Sequence, residues 1–139
     1  MRQSDKKVRG ILINPFDGTA GVIDADMSSL EKIHAMLDCD CYGIIGRPLL
    51  GRKERWLSVW YDDEGLLRGE ERMLPAIACL RKGFQEPYEV IYGIVFICDS
   101  DSDGEPMSLS ESVCERLLSK VKLRTLNDEK ELFSLVYEV

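Results

Sequence analysis

Three stretches of this chain space their side chains in ways that invite a chemical reading. Asp99, Asp101 and Asp103 at alternate positions, followed by Gly104, reproduce the first half of a calcium loop, in which carboxylates and a sharp glycine turn wrap a hard cation. The twelfth position of such a loop is Ser110 here, with Glu111 one place late, so the bidentate ligand that closes the cage is missing and no metal is expected. Gly46 and Gly51, followed by Arg52 and Lys53, have the glycine spacing of a phosphate-cradling loop, but Glu54 stands where the hydroxyl residue should open a helix. A turn with basic side chains fits better than a nucleotide site. Arg47, Arg52, Lys53 and Arg55 beside Trp56 pair cations with an aromatic, the combination that readers of single-stranded nucleic acid use. Against a net charge of −7, ordinary surface charge, a self-complementary surface or pairing with Asp62 and Glu64 accounts for it more simply.

Asp62, Asp63 and Glu64 are close enough in sequence to act as acid and base, yet a turn that displays them to bulk water leaves them poor catalysts. A contact surface is the better functional expectation for them. His34 falls on the apolar stripe of a helix, where a packed boundary residue is commoner than a general base. Cys39 and Cys41 flank Asp40 at a helix-to-strand junction. With Cys79, Cys98 and Cys114 they make an odd set without zinc-knuckle spacing, which fits reduced thiols. No nucleophile with an identifiable partner emerges, and no catalytic residue or cofactor is assigned.

These residues must be held by the elements around them. VRGILIN (residues 8–14) and the run from Thr19 to Asp24 bracket Pro15, Phe16, Asp17 and Gly18, which predicts a hairpin. Ser28 and Glu31 form a capping box ahead of apolar Leu30, Ile33 and Leu37, predicting a helix over 28–38. A short strand is expected at 41–45. The aromatic run WLSVWY (56–61) reads as a strand that surfaces at Asp62 and doubles back through Leu66 and Leu67. Residues 68–85 show no decisive period and fit a short helix over 74–81 or a loop. YEVIYGIVFIC (88–98) predicts one central strand, with Gly93 at a bulge or a close approach. Ser108 and Glu111 repeat the capping box before a second helix that reaches Lys122, and the tail from Leu132 suits a closing strand or a helix. The aromatic ribbon and the long apolar ribbon should share one sheet. The sum is an α+β fold: a largely antiparallel or mixed sheet with two main helices packed on it.

A chain of 139 residues fits a single domain, with residues 1–7 as a flexible start and 123–139 as an additional closing element. A hydrophobic fraction of 45% with 31% charged residues fills a core and keeps a solvated shell. The negative charge opposes binding to nucleic acid and to anionic membranes, and neither a leader nor a membrane span is read, so a cytoplasmic location is expected.

Several motifs together resemble one family. VRGILINPFDGT, MLDCDCYGII, WYDDEGLL and YGIVFICDSDSDGEPMSLS occur in order, and on them the chain resembles the phage- and plasmid-borne domain of unknown function DUF3846 over most of positions 8–120. Residues 68–86 and the tail beyond Lys122 depart from the pattern. The resemblance implies an accessory protein of mobile elements and carries no reaction, cofactor or catalytic residue with it. The functional expectation is therefore a non-enzymatic protein that binds a host or element protein through an acidic surface, with Asp62, Asp63, Glu64, Arg52, Lys53 and Trp56 as candidate contact residues. A small-ligand or nucleotide sensor with a pocket near His34 and Trp56 is the alternative, and an enzyme with an unrecognised site is the third.

Overall fold

Strict alternation in the first apolar run decides which face each side chain takes. The structure is a computed structural model describing the backbone of residues 7–64, 69, 74–84, 86–126 and 130–139, with side chains at these positions except 123–126 and 130–132. In β1 (Lys7–Asn14), Val8 faces one core while Ile11 and Ile13 face another. It pairs antiparallel with β2 (Thr19–Asp26) through the expected hairpin, whose Gly18 takes φ 69°. Residues 1–6, most of the expected flexible start, lie outside the described residues, and Lys7 already belongs to β1.

Helix α1 (Leu30–Leu37) begins one residue later than the capping box implied. Ser29, not Ser28, is the cap: its hydroxyl accepts the Lys32 N–H at 3.2 Å. Asp38 closes the helix in the left-handed region at φ 51°. Strands β3 (Tyr42–Arg47) and β4 (Leu57–Asp62) form the next antiparallel pair. Leu66 and Leu67, where the aromatic ribbon was expected to resume, lie outside the described residues.

Among the described residues of 68–85 there is no helix, and only 69, 74 and the turn at 81–84 lie outside regular structure. Pro75–Leu80 is a strand, β5, nearly all of it buried. The long apolar ribbon is two strands, β6 (Pro87–Tyr92) and β7 (Val95–Ser100), separated at Gly93. Gly93 has φ 85° and nothing within 4 Å of a would-be Cβ, so it serves as a pivot and makes no close approach. A strand of two residues, β8 (Pro106–Met107), folds back on β7, and α2 (Glu111–Leu118) follows. Its cap is Ser110, which accepts the Val113 N–H at 3.3 Å. Ser108 instead accepts the Arg9 N–H at 2.9 Å and moors the helix start to β1. The helix stops short of Lys122 because the chain turns at Ser119 and Lys120 into β9 (Val121–Leu126), and β10 (Lys130–Glu138) makes the tail a strand.

The strands form two sheets where one was expected. The first has the order β2-β1-β7-β4-β3, with β8 on β7, and the second β6-β5-β10-β9. All pairings are antiparallel except β5 with β10. The aromatic ribbon β4 and the second half of the apolar ribbon, β7, are neighbours as expected, with Trp60 opposite Phe96; β6 belongs to the other sheet. The result is a mostly-strand α+β fold whose helices are few and short.

Sheet one is buried on both sides at β7. Val95 and Ile97 join Ile11, Val59, Ile77, Leu135 and Leu117 in a core shared with sheet two and α2. Phe96 and Cys98 face the other way, into a second core with Ile33 and Leu37 of α1. That explains why VFIC shows no alternation: both faces of the strand are covered. Gly10 is required beneath Phe96, whose ring stands 2.6 Å from a would-be Cβ.

Candidate functional site

Two segments bring three carboxylates together at one end of sheet one. Asp40 sits in the α1–β3 junction, and Asp63 and Glu64 sit in the turn after β4. Pairing of β3 with β4 places Tyr42 opposite Asp62, and the Asp63 N–H donates to the Cys41 carbonyl at 3.1 Å. The exposed Cys41 thiol lies inside this group and responds to it. A hydrogen bond to the Glu64 carboxylate raises its pKa, and the charges of Glu64, Asp40 and Asp63 add to the effect.

Of the expected trio, Asp63 and Glu64 are exposed, but Asp62 is not displayed to solvent. It is only 8% exposed and accepts the Glu64 N–H at 2.9 Å, so it shapes the corner from beneath. The corner can attract cations and basic side chains. Among the described residues no group of His, Cys, Asp and Glu is arranged to hold a metal ion.

The basic cluster divides between two roles. Arg47, on β3, makes a bidentate pair with Glu89 of β6, Nε to Oε1 at 2.6 Å and Nη2 to Oε2 at 2.7 Å, which ties the two sheets together. Arg55 pairs with Asp99 at 2.7 Å, and Glu54 meets Arg116 of α2 at 3.3 Å. Arg52 and Lys53 stay exposed in the β3–β4 turn, which closes through Gly51 N–H to Pro48 O and Glu54 N–H to Gly51 O. Trp56 is 55% exposed and lies across the bare face of Gly46, with Cε3 3.8 Å from where a Cβ would stand. The candidate residues Arg52, Lys53 and Trp56 thus occupy one end of the β3–β4 hairpin, and Asp63 and Glu64 the opposite end.

The acidic loop after β7 is a hairpin turn stabilised by its own aspartates. Asp101 Oδ1 accepts from Asp103 N and Glu105 N at 2.9 Å each, while Asp99 is engaged by Arg55. His34 packs edge-on against Tyr42, with centroids 5.5 Å apart, and Tyr42 stacks on Trp60 at 5.3 Å, so it is a boundary residue of the second core. The Trp60 indole N–H is buried without an oxygen or nitrogen partner. Its neighbour is the Cys98 thiol, whose pKa burial pushes up to about 11.

A polar seam between the sheets carried no signal in the sequence. The Arg47–Glu89 pair lies near Tyr61 and the buried Tyr137, which hydrogen-bonds Cys79. Burial raises the pKa of both tyrosines, and the Arg47 hydrogen bond lowers that of Glu89. The partners come from β3, β4, β5, β6 and β10, so no local spacing could have announced them. A cleft of about 340 Å³ opens elsewhere, lined by Leu49, Leu50, Lys120, Lys122 and Val136 among others, and not near His34 and Trp56. No described helix is long and apolar enough to cross a membrane.

No curated protein and no solved structure matches the chain significantly. One family model does, over residues 8–122, which runs through the stretch 68–86 and ends where β9 begins to extend beyond Lys122. That match covers both helices and every strand of the first sheet. The chain therefore belongs to the family described as a domain of unknown function, DUF3846.

Proposed function

We propose that this chain is a non-enzymatic accessory protein of a phage or mobile element, and that its acidic corner docks on a basic surface of a host or element-encoded protein. The observation that supports this reading is the convergence of Asp40, Asp63 and Glu64 on the Cys41 thiol, which places three carboxylates from two separate segments within reach of one point. A concentrated negative field of this kind speeds encounter with a basic partner and favours the correct orientation. Calorimetry of the full chain against an arginine-rich peptide across a salt series tests it. Binding should weaken as salt rises and should fall about tenfold or more in an Asp63→Lys, Glu64→Lys variant. Binding indifferent to both would refute the proposal.

The cleft lined by Lys120 and Lys122 favours a second reading, a sensor of small anionic ligands, because two lysines and one carboxylate, Glu138, share its wall with apolar Leu49 and Val136. Thermal shift against a panel of nucleotides and carboxylates tests that reading, and no stabilisation across the panel removes it.

A further inference from the structure

The outer edge of sheet one at β3 has a polarity of its own. Among the described residues no strand pairs with the far side of β3, so its backbone groups on that side are open to an added strand. Ile44, in the middle of β3, is 48% exposed, and Trp56, 55% exposed, lies against Gly46 two residues further along the strand. The basic turn with Arg52 and Lys53 lies at one end of this edge and the corner of Asp40, Asp63 and Glu64 at the other.

We infer that β3 pairs antiparallel with β3 of a second copy of this chain, joining the two first sheets into one continuous sheet. A two-fold axis at Ile44 sets the register. Ile44 faces Ile44, Tyr42 faces Gly46, and Arg47 faces Cys41, because residues directly opposite in an antiparallel pair point to the same side.

Two features select this occupant. The antiparallel turn brings the Arg52 and Lys53 end of each copy to the carboxylate corner of the other, so two charge-complementary contacts form at once. Opposite the bare Gly46 stands Tyr42 of the other copy, and the indole that roofs Gly46 closes over it, removing Trp56 and Ile44 from water together. The other edge of the same sheet, β2, carries Asp24 and Asp26 at one end and no cation within the strand, so it lacks such a complement.

The inference uses the same acidic corner as the proposed function but needs no heterologous partner, and the two fail separately. Sedimentation equilibrium of the full chain at about 100 µM and low salt should give a dimer that dissociates as salt rises. Arg52→Glu, Lys53→Glu reverses one end and Asp40→Lys, Glu64→Lys the other. Each variant alone should dimerise about tenfold or more weakly, and an equimolar mixture should restore the dimer, since each copy then meets its opposite charge. Ile44→Lys, which sets two ammonium groups face to face, should give a monomer with an unchanged circular dichroism spectrum. A wild-type monomer under these conditions overturns the inference. So does a dimer indifferent to charge reversal, or a mixture that stays monomeric, whatever the arginine-rich peptide does.

Discussion

Arg47 and Glu89 cross the gap between the two sheets, and removing their attraction should be felt by both. The side chains are 29% and 33% exposed and meet through two charge-assisted hydrogen bonds. Charges separated by about 4 Å attract by roughly 1 kcal/mol in water and about 4 kcal/mol at an effective dielectric near 20. Partial exposure, desolvation and the freezing of two long side chains offset much of the larger value, leaving a net coupling of about 1–2 kcal/mol. In a chain of this size about 1 kcal/mol moves Tm by roughly 3 °C, so Glu89→Gln should lower Tm by about 3–6 °C at pH 7.

The assay is a double-mutant cycle by urea denaturation, with Glu89→Gln, Arg47→Met and the pair. Its pH dependence follows from the lowered pKa of Glu89 in the folded chain. A depressed carboxyl pKa contributes stability above the unfolded value, here near 4.5, and that contribution is lost as pH falls through the folded value. The coupling should therefore be full at pH 7 and fade in acid. Amide exchange in β6 should rise in Glu89→Gln, because that edge strand loses its tie to β3. A coupling below about 0.3 kcal/mol at pH 7, or one equally strong when Glu89 is protonated, would refute the account.

Gly10→Ala should destabilise by about 2–4 kcal/mol, measured by chemical denaturation, because its Cβ meets the Phe96 ring and the Ile97 carbonyl. Gly93→Ala meets no atom but must hold φ 85°, so a smaller loss of about 1–2 kcal/mol is expected; a neutral result would mean that the passage between sheets does not need a positive φ. Replacing Ser110 by Ala should cost about 1 kcal/mol as a lost helix cap, and helix content read by circular dichroism should fall with it. Cys41 should alkylate slowly at neutral pH, and Glu64→Gln should move its rate profile to lower pH, since the amide neither repels the thiolate nor accepts its proton so strongly.

Local chemistry makes several elements legible in the sequence. The Asp-Gly hairpin, the two amphipathic helices and the aromatic strand each depend on residues within a few positions of one another, and each lies where expected to within a few residues. The capping boxes mislead by one or two places because each run offers two serines, and the backbone selects the one whose hydroxyl reaches a free N–H. Residues 75–80 are ambiguous because a strand buried on both faces carries no period. In the apolar ribbon the break at Gly93 is hidden because apolar residues run up to it from both strands, Val90 to Tyr92 of the half-buried edge strand β6 and Val95 to Cys98 of the buried β7.

The amino-acid sequence by itself determined where turns, caps and apolar runs lie, and it determined the family through motifs that survive without their context. Tertiary structure alone decided that the strands divide into two sheets, that Asp62 is covered while Asp63 and Glu64 are not, and that Arg47 meets Glu89 across 42 residues of chain. Propensity acts between neighbours in sequence, whereas burial and pairing act between neighbours in space. The acidic corner and the polar seam belong to the second kind, since each is assembled from segments that only packing brings together.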